Sequence, residues 1–313
     1  MFGFKKLKRY LRDPKFALGC DLIQKHPNWM SDKFFTETEW RIIMGYKLDL
    51  RHPETFNEKL QWLKLHDRNS LYTTLVDKVL VKDWVEKKIG TQYVIPTLAV
   101  WDSAEKIDIT DLPDQFVLKC NHDSGSVIIC KDKANFDIVT AKEKLGKSLK
   151  FNWYYKHREW AYKNVKPCIL AEPYLLDSNS NEKSMTDYKF YCFNGIPKFL
   201  YVSSGLDRNH ETANISFANL DWTLSPFYRT DFSELRMLPS KPKCFDEMIE
   251  LSKRLSSKIP FVRVDWYEKC GRPYLSEMTF YPGGSPTKYV PEEYDSIIGD
   301  MLDISELTKN TYQ

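Results

Sequence analysis

The stretch from Phe261 to Thr279 constrains this 313-residue chain more than any other. Phe261-Val262-Arg263-Val264-Asp265-Trp266-Tyr267 and Tyr274-Leu275-Ser276-Glu277-Met278-Thr279 flank Cys270-Gly271-Arg272, the pattern of a β-hairpin. Pairing that is symmetric about Gly271 sets Asp265 opposite Glu277 and Arg263 opposite Thr279. The period of two then puts all four on one face. Directly opposed side chains lie roughly 4.5–5.5 Å apart at Cβ, where like charges repel. Two carboxylates so placed need a cation. Either Arg263 closes a structural cluster, or the pair holds a hard metal with oxygen ligands, for which Mg²⁺ with a nucleotide is the usual case. The loop Phe280-Tyr281-Pro282-Gly283-Gly284 follows at once and brings backbone amides beside the carboxylates, which favours a ligand site.

A second constraint is Lys119, set between Val117, Leu118 and Cys120 and followed by Asn121-His122-Asp123-Ser124-Gly125-Ser126. A lysine in an apolar strand pays desolvation unless an anion sits against it. With the amides of the Ser-Gly-Ser turn it makes a phosphate cradle, and the alternative is a lysine snorkelling from an exposed strand face. Asp77-Lys78-x-x-x-Lys82 at a helix start offers further phosphate lysines, a weak signal by itself. Asp187-Tyr188-Lys189 places an acid and a base on one strand face, within reach of a ribose and a phosphate or of a cross-strand ion pair. His122 reads as a loop hydrogen-bonding residue rather than a catalytic one. The histidine spacing supports neither a Ser-His-Asp nor a Cys-His arrangement. Trp153, Tyr154, Tyr155 and Trp160 could stack on sugars, with core packing the default.

Composition narrows the class. Hydrophobic content of 42% with 28% charge suits a globular chain with a substantial core, and no apolar run approaches the roughly 18–20 residues that cross a bilayer. No secretory pattern opens the chain, and seven scattered cysteines without a CxxC pair read as free thiols of a reducing compartment rather than a zinc site. The net charge is +3, yet Lys5, Lys6, Lys8, Arg9 and Arg12 carry five positive charges, so the remainder is slightly acidic. That argues against a nucleic-acid binder. The aromatic and basic mixture of residues 1–12 resembles an interfacial membrane segment, or it is a basic terminus with no partner.

Periodicity predicts helices over Thr36–Met44, over Asn57–Leu65 with Thr55 or Asn57 as cap, over Leu71–Ile89 with a stop at Gly90, over about 139–164, and over Asp246–Ser257. Phe116–Cys120 with Val127–Cys130, and Tyr188–Phe193 with Pro197–Ser203 about Asn194-Gly195, read as hairpins. Cys168–Leu175 reads as a strand broken by Pro173, and Asp177–Thr186 as a mobile loop. The fold class is α+β with antiparallel sheets. A mostly helical region (1–70) precedes a smaller lobe with the phosphate loop (71–175) and a larger lobe with the metal-binding hairpin (176–313).

In order and spacing these pieces resemble the ATP-grasp superfamily, and from about Phe56 onward its TupA-like (teichuronopeptide biosynthesis) family. The strings that carry the likeness are Thr55-Phe56-Asn57-Glu58-Lys59-Leu60-Gln61-Trp62, Leu118-Lys119-Cys120-Asn121-His122-Asp123-Ser124-Gly125, Asp187-Tyr188-Lys189-Phe190, and Leu275-Ser276-Glu277-Met278-Thr279-Phe280-Tyr281-Pro282-Gly283. The resemblance implies ATP clamped between two α+β lobes. Lys78 and Lys119 would hold phosphates under the loop of Ser124, Gly125 and Ser126. The backbone of Glu172, Tyr174 and Leu175 would take the adenine edge, with Asp187 and Lys189 at the ribose and phosphate. Asp265, Glu277 and Thr279 would hold Mg²⁺, and Arg263, with Lys119, would act on the transferred phosphoryl group. Thr279 stands where the family pattern has Asn, which alters the metal's ligand set.

The implied activity is that of an ATP-dependent carboxylate–amine ligase working through an acyl phosphate. Its partners would be a carboxylate-bearing glycan or lipid-linked precursor and an amino acid, in cell-surface polysaccharide, capsule or teichuronopeptide biosynthesis, in the cytoplasm at the inner face of the membrane. The rival readings are a kinase-like sugar phosphotransferase, a glycosyltransferase using a metal–diphosphate, and a non-catalytic binding module.

Overall fold

Local chemistry sets the helices that lead to the site. The computed structural model describes residues 13–175, 186–204, 214–231, 233–234 and 237–311. Helix α1 (Pro14–Leu22) begins at Asp13, whose carboxylate accepts from Phe16 N–H at 3.0 Å. Helix α2 (Asp32–Met44) is capped by Ser31 and ends at Gly45, whose φ of +89° suits a glycine. Helix α3 (Phe56–His66) starts through a capping box. Thr55 Oγ1 accepts from Glu58 N–H at 3.2 Å, and Glu58 Oε2 accepts from Thr55 N–H at 3.1 Å. Thr55 is therefore the cap. Asn57 instead donates to Thr287 O and accepts from Thr287 N–H, both at 2.9 Å, and ties α3 to the far end of the chain.

The helix expected over Leu71–Ile89 is two helices, α4 (Leu71–Val76) and α5 (Leu80–Ile89). Asp77 is extended between them, and its carboxylate accepts from Val79 N–H at 2.8 Å and Leu80 N–H at 3.2 Å. Asp competes with helix backbone in an interior but satisfies the free N–H groups of a start. The apolar stripe hid this break. Its consequence is that Lys78 sits at a helix entrance, its own N–H donating to Asn121 O at 3.1 Å.

A four-stranded sheet follows in the order β1-β4-β2-β3: β1 (Ala99–Trp101), β2 (Phe116–Cys120), β3 (Ile128–Cys130) and β4 (Ile169–Pro173). The expected β2–β3 hairpin is present. Phe116, Leu118, Cys130, Leu145, Ile169 and Ala171 make this lobe's own core, with Leu145 supplied by α6 (Ile138–Leu149). The long basic helix expected over 139–164 stops at Leu149. Asn152 Oδ1 accepts from Tyr154 N–H at 3.1 Å to open the single turn α7 (Tyr154–His157), and Arg158 then turns left-handed at φ +59°. Neither the Asn152 bond nor the left-handed turn at Arg158 shows in hydrophobic period.

The larger sheet runs β11-β10-β5-β6-β7-β9. β5 (Thr186–Phe193) and β6 (Ile196–Ser204) turn about Asn194-Gly195, both at positive φ as expected for a two-residue loop. β7 (Asn214–Asn219), β8 (Tyr228–Arg229) and β9 (Ser233–Glu234) come next, then α8 (Phe245–Ser256), β10 (Phe261–Lys269), β11 (Arg272–Thr279) and β12 (Tyr289–Val290). β8 and β12 form a separate ribbon, and β7–β9 is a parallel pair in an otherwise antiparallel sheet. Helices α9 (Tyr294–Asp300) and α10 (Ser305–Thr311) close the chain. The main core joins Phe190, Phe193, Leu200, Val264 and Trp266 of the sheet to Phe56, Met248 and Leu255. Leu75, Val81 and Val85 from α4 and α5 pack into this same core. The helix pair is thus rooted on the larger sheet while Lys78, at its break, touches the smaller lobe. Residues 1–12 and 177–185, read from sequence as a basic segment and a loop, lie outside the described residues.

Candidate active site

Cys270 (φ +54°) and Gly271 (φ +74°) form a two-residue hairpin loop that closes with Lys269 opposite Arg272. Continued without interruption, that register would set Asp265 against Ser276. An irregularity between Asp265 and Trp266 leaves Ser276 unpaired and advances the strand by one, so Asp265 faces Glu277 and Arg263 faces Thr279. The pairing expected from symmetry about Gly271 is therefore present, reached through a tighter turn and a bulge.

Arg263 lies between the acids. Its guanidinium donates from Nε to Asp265 Oδ1 at 2.7 Å and from one terminal nitrogen to Asp265 Oδ2 at 2.6 Å, Glu277 Oε1 at 3.1 Å and Thr279 Oγ1 at 3.1 Å. On the neighbouring strand β5, Lys189 stands opposite Asp265 and donates to Oδ2 at 2.6 Å. The same ammonium stands 3.1 Å from Asp187 Oδ1 without the angle of a hydrogen bond, and that buried oxygen has no other partner among the described residues. Asp187, Asp265 and Glu277 against Lys189 and Arg263 leave one surplus negative charge.

The three carboxyls are not equivalent. Asp265 is fully buried with both oxygens engaged, and burial pushes its carboxyl above the ordinary value against the pull of Arg263 and Lys189. Burial also pushes Asp187 up to about 6, with Asp265 adding to the rise and Lys189 opposing it. Glu277 keeps 31% of its side chain exposed. Partial burial would raise it, yet Lys189, Lys78 and Arg263 together pull it down to about 2. Environment splits like groups in this way where they serve different ends.

The smaller lobe meets this face through Lys78. Its ammonium donates to Asp123 O at 2.5 Å, and its charge is among those that lower Glu277. Asn121, His122, Asp123 and Ser126 are buried. Asn121 donates to Asp77 Oδ2 at 2.9 Å and accepts from Cys168 N–H at 2.8 Å. The His122 ring bonds Asn121 Oδ1 and Phe151 O at 3.3 and 3.1 Å, the loop-bonding role read from sequence. Ser126 donates to Asp123 Oδ1 at 2.6 Å and accepts from Cys120 N–H, while the Ser148 hydroxyl donates to the other Asp123 oxygen. Only Ser124 and Gly125 project, Gly125 at φ +100°. The loop has a rigid root and a two-residue tip.

The anion beside Lys119 is Glu172. Its carboxylate lies 2.5 Å from Lys119 Nζ and 2.7 Å from Lys82 Nζ. Burial would raise Glu172, but the two lysines outweigh it and hold the carboxyl low. Sequence reading assigned this residue through its backbone and missed the side chain. The register makes the contact legible: Val117 pairs with Glu172, so Lys119, two residues on, shares its face. Tyr174 lies just beyond β4, beneath the Lys131 ammonium at 5.8 Å from its ring, and Leu175 follows it.

A further cluster escaped sequence reading. Buried Lys64 donates to Gly284 O at 3.1 Å, His157 Nδ1 bonds Glu39 Oε1 at 2.7 Å, and Glu159 lies against Gly284, where a Cβ would come within 2.9 Å of its Oε1. Burial pushes Glu159 up to about 7. These residues, far apart in sequence, brace the loop that follows the hairpin. The only sequence signal was the Gly283-Gly284 pair.

Asp265, Glu277 and Thr279 offer hard oxygen donors on adjacent positions of two strands, and the surplus negative charge suits a divalent cation such as Mg²⁺. Among the described residues no group of three or more His, Cys, Asp or Glu side chains is placed to hold a metal ion.

A family model described as TupA-like ATPgrasp matches residues 58–303. Solved structures also match. D-alanine–D-alanine ligase from Helicobacter pylori is 14% identical, with a TM-score of 0.40 over 73% of this chain and 63% of that one. The Bacillus anthracis D-alanine–D-alanine ligase complexed with ATP is 15% identical, with a TM-score of 0.42 over 91% and 76%. A RimK domain ATP-grasp protein from Sphaerobacter thermophilus is 12% identical, with a TM-score of 0.39 over 80% and 79%. The chain thus spans less than two thirds of the Helicobacter pylori ligase. No curated protein sequence matches it.

Proposed function

The chain belongs to the TupA-like ATP-grasp family, and we propose that it is an ATP-dependent carboxylate–amine ligase. The observation that carries this reading is that Lys78, which donates to Asp123 O at the root of the Ser-Gly loop, is one of the cations that lower Glu277 on the larger lobe's hairpin. A cation bonded to the smaller lobe's loop thus acts electrostatically on a carboxylate of the larger lobe's hairpin. That is the charge arrangement a nucleotide triphosphate with its metal needs.

Lys78 and Lys119 neutralise phosphate oxygens, and the tip Ser124-Gly125 with Ser126 supplies backbone N–H groups. Glu172, Tyr174 and Leu175 offer the adenine edge their backbone, and the Glu172 side chain holds Lys82 and Lys119 ready. Asp187 has a buried oxygen without a hydrogen bond, an acceptor suited to a ribose hydroxyl, and Lys189 stands beside it. Asp265, Glu277 and Thr279 would hold Mg²⁺, which when bound neutralises charge on the phosphates. Arg263 donates to charge that builds on the transferred phosphoryl group.

The reaction is a double displacement. A substrate carboxylate oxygen attacks the γ-phosphorus, the bond to the β–γ bridging oxygen breaks, and ADP leaves. An amine nitrogen then attacks the acyl carbon and loses a proton as phosphate departs. A site that excludes water preserves the acyl phosphate. The acid partner is a carboxylate-bearing glycan or its lipid-linked precursor and the amine an amino acid, in cell-surface polysaccharide biosynthesis on the cytoplasmic side of the membrane. That choice rests on family analogy.

Calorimetry and thermal unfolding with ATP–Mg²⁺, against UDP- and GDP-sugars, test the reading. Stabilisation by ATP–Mg²⁺ alone is expected. Stabilisation only by nucleotide sugars would assign the site to glycosyl transfer, and ADP formation with a phosphorylated sugar and no amine requirement would assign it to phosphotransfer.

A further inference from the structure

The surface formed by residues 25–29 and 147–156 combines exposed aromatics with several lysines. Trp29 is 69% exposed and Phe151 37% exposed. The two segments are fastened together: His26 Nδ1 lies 3.1 Å from Lys156 O, the His26 and Phe151 rings meet edge-on at 6.1 Å, and Arg158 donates to the carbonyls of Pro27 and Met30. Phe151 meets Trp153 edge-on at 6.3 Å, and the Lys156 ammonium lies 4.2 Å over the Trp153 ring. Lys25, Lys147 and Lys150 are exposed. Among the described residues, His157 and Arg158 of the 147–158 stretch pair with carboxylates, whereas Lys147, Lys150 and Lys156 have none within 4.0 Å.

An exposed indole on a folded chain retains apolar surface that water does not favour. Protein partners select against lysine at their interfaces. Trp29 protrudes rather than lining a groove, while Phe151, Lys147 and Ser148 line a depression with Glu143 and Lys144. Bilayer interfaces accept both features, with tryptophan and phenylalanine at the headgroup level and lysines against anionic lipids.

We propose that this face docks the protein on an anionic lipid bilayer, independently of residues 1–12. The surface adjoins the root of the 121–126 loop, since Phe151 O bonds the His122 ring and Ser148 donates to Asp123; on the ligase reading proposed above, docking sets the nucleotide site beside a membrane-borne acceptor.

The test is flotation of the full chain with vesicles of phosphatidylcholine alone and with about one third phosphatidylglycerol. The wild type is expected to partition at least about ten-fold more strongly onto the anionic vesicles. The combined variant Lys147→Glu, Lys150→Glu and Lys156→Glu should lose about ten-fold or more of that binding, and Trp29→Ser a few-fold, with unfolding temperatures near wild type. Equal partition onto both vesicles, or wild-type binding by the lysine variant, overturns the proposal. So does binding to a soluble polyuronate without binding to vesicles, which would assign the face to an acidic glycan.

Discussion

Asp265 lies directly across the β10–β11 pair from Glu277, and Arg263 hydrogen-bonds both carboxylates. The like charges that β-pairing forces together are held by one guanidinium and, on Asp265, by Lys189. The two acids then diverge. Asp265 is buried with both oxygens bonded, while Glu277 is partly exposed and is lowered by Lys189, Lys78 and Arg263. Asp265 holds Arg263 through both of its oxygens, and Glu277 is the more open of the two carboxylates.

The lysines of the smaller lobe depend on Glu172. Removing one partner of a buried ion pair strands the other, at about 3–5 kcal/mol in full burial. Glu172→Gln should lower stability by about 2–4 kcal/mol and raise the ATP concentration needed for half-saturation, as read by denaturant unfolding and nucleotide titration. Wild-type values for both would show that Lys82 and Lys119 are placed by other groups.

Thr279 accepts from Arg263 and lies 3.3 Å from Glu277 Oε1. Thr279→Val keeps the β-branched shape and removes the hydroxyl. About 10-fold more Mg²⁺ should then be needed for nucleotide binding, with the unfolding temperature little changed. An unaltered Mg²⁺ titration would remove Thr279 from the ligand set.

Gly284 has φ +70°, and a Cβ there would come within 2.7 Å of His157 Cδ2 and 2.9 Å of Glu159 Oε1. Gly284→Ala should cost about 1–3 kcal/mol in chemical denaturation. A neutral effect would mean that the loop is not braced by the Glu39, Lys64, His157 and Glu159 cluster.

Glu159 carries a pH signature. Burial raises its carboxyl from 4.5 to about 7 in the folded state, so the fold binds a proton that the unfolded chain has released. Its contribution is full below pH 4.5 and is lost as pH rises through 7, at most about 3 kcal/mol. Relative to wild type, Glu159→Gln should therefore gain stability between pH 5 and 8, measured as a growing difference in unfolding temperature. Asp187 titrates in part of the same window but is common to both proteins. A difference that stays constant with pH would contradict the assignment.

What the sequence made legible was local or periodic. Asn194-Gly195 and Cys270-Gly271-Arg272 marked their turns, the second one residue too wide, and alternation placed Arg263, Asp265, Glu277 and Thr279 on one face. Lys119 was read as a phosphate lysine or a snorkelling one, and the carboxylate beside it, Glu172, comes from a strand distant in sequence. Asp77 broke a helix that its apolar stripe did not interrupt, because a cap competes through hydrogen bonds that period does not record. The bulge at Asp265 and the Glu39–Lys64–His157–Glu159 cluster depend on tertiary contacts between segments that carry no mutual mark in the chain. The TupA-like resemblance named the family, while the division of labour between Asp265 and Glu277 emerged only from burial.

Calorimetric titration of ATP, with and without Mg²⁺, into the wild type and Glu277→Gln tests the central claim most directly. The account predicts that Mg²⁺ strengthens ATP binding to the wild type, and that Glu277→Gln, which still folds and binds ATP without Mg²⁺ at least as well as the wild type, loses about ten-fold or more of that gain. The same Mg²⁺ dependence in both proteins would contradict it, and the hairpin would then be a structural ion-pair cluster rather than the metal-holding wall of a nucleotide site.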